Sequence, residues 1–457
     1  MSEGVTRTVA GWLAGLRHED VPEPVRRAVR LFVLDTLGVG LAGMDQPWTG
    51  IVADWASRWA PGGEAPLARR WGSGRGNLRP SDAALVNGVA AHAFELDDFH
   101  NAKLHPGAVV VPAALATAEA YGAGGERLET AIVAGYEVMI RTALALEPSH
   151  ARLRGWHLTG VCGTFGAAAA AAILLGFDAE RTAWALGLAG TQSAGLFAFN
   201  ADGSMSKRFH PGRSAQSGVL AAELAALGFT GPTSVYEAAD GGLLEAFSDH
   251  SDPGRLVGGL GAAWHAAETT FKPYSCCGSV HPHIDAALAL RGSYRPGARV
   301  RAGVARVVDV QCGYPYRPGT ALNAQMSLRY CVAVALADGA VLPRQFAPDR
   351  IADRTVTALA ESIEVVHDPA LDAIYPGRFA GWVEIEEAPG RFRRVDVLDP
   401  SGSPANPGRD AALRAKFRAL AAPILGEAGA GRVEAAVGDL DRWSAGDLLG
   451  LLERPAA

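Results

Sequence analysis

Long runs of small apolar residues constrain this 457-residue chain more than any other feature, because they read as helices that pack closely. The clearest are residues 108–121, 163–175, 214–227 and 282–290, and alanine dominates 109–118 and 167–175. Gly160, Gly163 and Gly166 recur every three residues, a spacing that predicts one helix face on which a second backbone approaches. Each run also follows a basic residue: His105, His157, Lys207, and Lys272 together with His281. A helix start presents unpaired N–H groups and a partial positive charge. A cation there is unfavourable until an anion joins it. The four arrangements therefore predict a site for a negatively charged small molecule.

The helical pattern continues to about residue 265. Val25, Ala28, Val29 and Phe32 fall at i, i+3, i+4 and i+7, and Gly38, Gly40 and Gly43 read as the place where that helix weakens or ends. Ser81 or Asp82 is the expected cap of a helix over 83–94, and 128–145 and 181–189 are further periodic runs. Beyond 266 the texture changes. Residues 304–312, 363–367 and 382–387 are short and β-branched, and Ala388-Pro389-Gly390 before 391–398 reads as a hairpin. Helices are expected over 323–336 and 349–361, and helical periodicity returns from 410 to 452. The expected fold is mostly α. It comprises a large all-helical domain of residues 1–265 plus 405–457, with a smaller α+β lid domain of 266–404 inserted before the C-terminal helices.

Apolar residues make up 49% and charged residues 20% of the chain, the balance of a folded globular protein. The net charge of −6 with no basic stripe argues against a nucleic-acid partner. No basic region precedes an apolar core at the N-terminus. The apolar runs are shorter than the roughly 20 residues that span a bilayer, so no membrane association is expected. The odd set Cys162, Cys276, Cys277, Cys312 and Cys331 fits reduced thiols in a cytoplasm.

The densest polar cluster is Glu95-Leu96-Asp97-Asp98-Phe99-His100, with His105 close behind. It reads as a metal site, as a device that tunes a histidine, or as a solvated loop. Acids at a helix C-terminus oppose its dipole, which weighs against the last reading. The spacing matches no standard metal pattern, so no metal is expected. His157, between Trp156 and Leu158 at a helix start, is either a core histidine or a neutral imidazole that acts as base or donor. Lys207, Arg208, His210 and Arg213 form either a solvated basic turn or a carboxylate or phosphate clamp. No Walker-type glycine loop supports nucleotide phosphate. Lys272, Cys276 and Cys277 lie at the expected domain junction, where clefts often bind ligands, and both cysteines read as buried thiols.

Several motifs in one order carry a resemblance. They are Leu34-Asp35-Thr36-Leu37-Gly38, Asn87-Gly88 with His92-Ala93, Glu95-Leu96-Asp97-Asp98 with His105-Pro106, and Gly155-Trp156-His157. Lys207-Arg208-Phe209-His210-Pro211-Gly212-Arg213 and Lys272-Pro273-Tyr274 with Cys276-Cys277 follow. With these the chain resembles the MmgE/PrpD family, which includes 2-methylcitrate dehydratase, cis-aconitate decarboxylase and iminodisuccinate epimerase. The resemblance implies a helical domain built from both chain ends, a lid, a homodimer, a small carboxylic-acid substrate, and chemistry without metal or organic cofactor. It implies that the segment Glu95–His105, His157, Lys207 and Lys272 line the active site, and His105, His157, Lys207, Lys272 and Asp97 are the expected catalytic residues. Substrate contacts are expected from Glu95, Asp98, Phe99, Arg208, His210, Arg213 and Cys277. The chain departs from the family pattern at Glu95, where aspartate is usual, at Phe99, which replaces a threonine, and at Gly278, where many members carry arginine.

The expected chemistry is proton transfer at a carbon beside a carboxylate, with Lys207 and Lys272 stabilising charge and His105 and His157 sharing the acid and base roles. Dehydration of a 2-methylcitrate-like hydroxy acid is the leading expectation. Decarboxylation and epimerisation are its rivals on the same scaffold, and an inactive carboxylate-binding protein is the alternative of another class.

Overall fold

A computed structural model describes residues 4–59, 65–74, 76–375 and 377–455. Helix Leu158–Leu175 runs through the middle of the helical block. It packs against Gly107–Tyr121, Gly125–Ala145, Ala179–Gly190 and Ser206–Ala226. Alanine is the best helix former, and a helix apolar on every side is stable only when covered on every side. The helix begins earlier than the alanine run alone suggests. At 18 residues it is long and apolar enough to cross a membrane, yet 89% of it is buried inside the protein.

Glycine makes this packing possible. A Cβ on Gly163 would lie 2.9 Å from Ser214 Cβ, and one on Gly88 would lie 2.7 Å from Gly212 Cα. The expected weakening at Gly38 and Gly40 does not occur, because helix Glu23–Gly43 continues through both. There the missing side chains make room for Phe417 and Trp71, so packing outweighs the low intrinsic helix propensity of glycine.

Two large hydrophobic cores stand out among the described residues. The first draws on residues from Val9 to Phe271 and again from Leu413 to Leu452. Helix Arg409–Gly438 returns to pack on Glu23–Gly43. The second runs from Cys276 to Ile385 and takes in Phe199. It is built on a four-stranded sheet in the order β2-β1-β3-β4. The strands are β1 Val300–Val304, β2 Glu364–His367, β3 Gly381–Ala388 and β4 Arg391–Val397. β1 pairs parallel with β2 and antiparallel with β3, and β3 and β4 form the expected hairpin.

Three expectations in this unit need correction. The strand expected over 304–312 ends at Val304, and Arg306–Cys312 is a helix. Asp372 Oδ1 accepts from the Arg306 backbone N–H at 2.7 Å at the start of this helix. β-Branched composition says more about packing surface than about backbone, so it misleads in short segments. The helix expected over 323–336 divides into Ala321–Gln325 and Leu328–Asp338, because Ser327 caps the second. The one expected over 349–361 divides at Asp353, which caps Arg354–Ser362.

Candidate active site

The basic residues that precede the apolar runs occupy four different settings. His105 lies just ahead of helix Gly107–Tyr121, as expected. His157 is itself the N-cap residue of Leu158–Leu175, and Lys207 is the second residue of Ser206–Ala226. Lys272 lies in an irregular segment well before His281–Leu290. What gathers them is tertiary structure. The segment after helix Pro80–Ala91 is fastened to the Lys272 segment by paired Phe99 and Thr270 backbone hydrogen bonds, each 2.8 Å. Ser275 and Gln325 from the second core both donate to the Phe94 carbonyl, at 2.5 and 2.9 Å. The result is a small cavity between the two cores. Glu95, Phe99, His105, His157, Lys207, Lys272 and Cys277 line it.

The anion that the cations require is already part of the chain. Lys207 Nζ donates to Glu95 Oε1, and Lys272 Nζ donates to Glu95 Oε2 at 3.1 Å and to the Glu95 carbonyl at 3.1 Å. All three side chains are buried. Burial alone would push the Glu95 carboxyl up, but Lys207, Lys272 and His92 outweigh it and hold it well below the usual carboxylate range. Burial and Lys272 draw Lys207 down against the pull of Glu95. For Lys272, Glu95 and Asp97 outweigh burial and raise it. Two ammonium groups facing one carboxylate leave this group with net positive charge. Glu95 occupies it in a left-handed backbone conformation, φ 54°. A non-glycine residue pays for that conformation in strain, and such strain gathers at functional sites.

A second carboxylate stands behind the first. Asp97 meets His92 Nδ1 at 2.8 Å and His105 Nδ1 at 3.3 Å. Burial would raise Asp97, but the two histidines hold it well below its ordinary value. His105 Nδ1 also lies 2.9 Å from the Asp98 carbonyl. Both partners only accept, so Nδ1 carries the hydrogen and Nε2 keeps a free lone pair. Burial and Lys272 depress His105 to about 4, so it is neutral at pH 7. His157 Nδ1 lies 2.8 Å from His210 Nδ1, so one ring donates and the other accepts. Burial, Lys207 and His210 push His157 well below its usual value, and burial with Lys207 brings His210 to about 4.

The same lining holds groups that local sequence patterns do not reveal. Lys103 and Arg152 line the cavity, and among the described residues neither has a carboxylate partner. Lys103 has a left-handed φ of 63°, donates to Tyr375 Oη, and is brought to about 8 mainly by burial. Arg152 lies 3.2 Å from the centre of the Phe197 ring, and its buried Nε finds no hydrogen-bond partner. Cys277 accepts from Gln311 Nε2 at 3.3 Å. A hydrogen bond from Cys312 lowers it to about 6, against burial and with help from Lys272.

Five expected site residues do not line the cavity. Asp97 acts through His92 and His105. Asp98 accepts from Tyr136 Oη at 2.6 Å and from the Gly107 N–H at 2.8 Å, so it fastens a helix start. The basic cluster is not a clamp, because successive residues on a helix point in different directions. Lys207 alone reaches the cavity. Arg208 Nε donates to the Ala93 carbonyl at 3.0 Å, His210 backs His157, and Arg213 donates to Gln216 at 2.6 Å. His92, quoted in the sequence only as part of a motif, connects the two carboxylates. Lys207 Nζ donates to its Nε2 at 2.9 Å while Asp97 holds its Nδ1.

His92, Glu95 and His105 offer ligand atoms within 4.8 Å of one another, the one group among the described residues with metal-like geometry. The Lys207 ammonium already sits against two of the three. A cation is thus supplied by the chain where a metal would bind.

The MmgE/PrpD N-terminal domain profile matches residues 7–256, and the C-terminal domain profile matches 274–442. Cis-aconitate decarboxylase of Aspergillus terreus is 30% identical over 98% of this chain and 95% of its own length. The cis-aconitate decarboxylase-like protein oryM of Aspergillus oryzae is 30% identical over 96% of this chain and 94% of its own. Mouse cis-aconitate decarboxylase is 27% identical over 93% of this chain and 88% of its own. The relatives are carboxy-lyases by name, and the chain belongs to the MmgE/PrpD family, which supports lyase activity.

Proposed function

We propose that this protein is a carboxy-lyase that needs neither metal nor organic cofactor and acts on a small unsaturated polycarboxylate. The observation that carries this reading is a single cavity faced by the Lys207–Glu95–Lys272 group, by two neutral histidines, and by two cations without carboxylate partners. Full-length similarity to decarboxylases favours loss of carbon dioxide over the dehydration expected from the sequence.

In this reading the leaving carboxylate sits on a carbon next to a C=C bond. Carbon dioxide departs, and the electrons of the broken C–C bond form a new double bond to the neighbouring carbon. The old π pair takes one proton at the far carbon. Negative charge develops there and onto an adjoining carboxylate, and preorganised cations stabilise such charge without rearranging. Lys272 and Lys207 are aimed for that role. Arg152 and Lys103 hold substrate carboxylates. A bound polyanion raises nearby histidines, since opposite charge favours the protonated form. His157, backed by His210, then takes up a proton and delivers it, while the free lone pair of His105 Nε2 orients the substrate or accepts a proton. Dehydration would use the same groups, with His157 protonating the leaving hydroxyl.

Proton NMR in deuterated water, with a panel of unsaturated and hydroxylated di- and tricarboxylates, tests the reading. Decarboxylation gives a product one carbon shorter with a single deuterium at the protonated carbon. Loss of water without loss of carbon dioxide, proton exchange alone, or binding of every acid without turnover would each contradict it.

A further inference from the structure

Phe99 and Gly278 meet in the lining of the same cavity. A Cβ built on Gly278 would lie 2.7, 2.8 and 2.9 Å from three carbons of the Phe99 ring, closer than real Cβ atoms approach. The ring therefore fills the space that a side chain at 278 would need. Phe379 stands edge-on to Phe99 at 5.7 Å between ring centres, and Met326 lines the cavity beside them. The nearby Gln311 amide is already engaged by Cys277. A carboxylate pressed flat against these ring carbons would lose its hydration there and gain no hydrogen bond from them. An alkyl group there would gain from burial. The cations without carboxylate partners, Arg152 and Lys103, line the same cavity, and Lys103 donates to Tyr375, whose ring centre stands 5.1 Å from that of Phe379.

We propose that the cavity selects a dicarboxylate bearing an apolar branch, with carboxylates held by Arg152 and Lys103 and the branch against Phe99 over the Gly278 backbone. This rests on the reading of the cavity as a carboxylate-binding lyase site. It goes further by naming the shape of the substrate and the pair of residues that sets it.

The test uses two saturated probes that cannot be decarboxylated and so report binding alone. Propane-1,2,3-tricarboxylate is succinate with a carboxymethyl branch. Isobutylsuccinate carries an apolar branch of nearly the same shape. Titration calorimetry on the intact protein should show isobutylsuccinate binding at least about tenfold more tightly, as expected when a buried alkyl group replaces an unpaired charge. Phe99→Ala should reduce that preference to about threefold or less, because it removes the wall. Phe99→Leu, a milder change that keeps the wall apolar, should retain it. Arg152→Ala should weaken both probes by similar factors. Tighter binding of the tricarboxylate, an unchanged preference in Phe99→Ala, or no binding of either probe would overturn the proposal. If the preference holds while the NMR panel shows no loss of carbon dioxide, the carboxy-lyase reading fails and the selectivity stands.

Discussion

Two sets of charged residues in the cavity lining treat charge in opposite ways. In one set each lysine has a carboxylate partner within the chain: Lys207 and Lys272 share Glu95, and behind them His92 and His105 share Asp97. In the other set Lys103 and Arg152 have no carboxylate among the described residues. A buried charge with a partner is held in place before any ligand arrives, which suits groups that act on a transition state. A cation without one is left to the ligand. The proposed function assigns chemistry to the first set and binding to the second, so substitutions in the two sets should fail differently.

The largest effect is expected at Lys272. Lys272→Ala should lower single-turnover rates by about 100- to 1000-fold, the usual consequence of losing one preorganised donor. It also strands part of the Glu95 charge in the interior, and breaking a buried pair costs about 3–5 kcal/mol. Thermal unfolding should register that loss. Adding Glu95→Gln should recover stability without recovering rate. Recovery of both would show that Lys272 serves the fold alone.

Asp97→Asn comes next. It keeps the shape and removes the charge that two imidazole Nδ1–H groups address, so kcat should fall by about 100-fold, at the low end of general acid–base contributions. Substrate affinity should stay within a few-fold. A change in KM with kcat intact would place Asp97 in the binding set and blur the division.

Arg152→Ala should do the reverse, raising KM about tenfold and leaving kcat within a few-fold, the signature of lost uniform binding. Steady-state kinetics on one substrate compare the three variants directly.

The smallest effect is a pH shift. Burial brings Lys103 to about 8 in the folded protein, below the ordinary lysine value. It is charged below that pH and neutral above it, so its hold on a carboxylate is lost as pH rises through about 8. The profile of kcat/KM, which reports the free enzyme, should descend there. Lys103→Arg should move that limb upward, since guanidinium stays charged. An unmoved limb would assign the titration to another group.

The same contrast marks what could be read from the sequence. The helical block was legible because alanine runs and glycine spacing act locally, and Gly163 against Ser214 shows that spacing at work. His105, His157, Lys207 and Lys272 were found because each stands out beside an apolar run. Glu95 as their internal partner was not legible, since it pairs across 112 residues with Lys207 and 177 with Lys272. Arg208 and Arg213 looked like a clamp until helix geometry turned them away from the cavity. Lys103 and Arg152 carry no pattern at all. Their importance lies in lacking a carboxylate, which only the assembled structure displays. In the sheet unit, Val307 and Val308 suggested a strand and form a helix, because β-branched residues leave short segments underdetermined.

The most direct test of this division is a crystal structure of the complex with isobutylsuccinate. Ligand carboxylates should lie within hydrogen-bond distance of Arg152 and Lys103, with Glu95 still seated between Lys207 and Lys272. A ligand carboxylate that displaces Glu95 from the two lysines, leaving Arg152 and Lys103 unengaged, would contradict it.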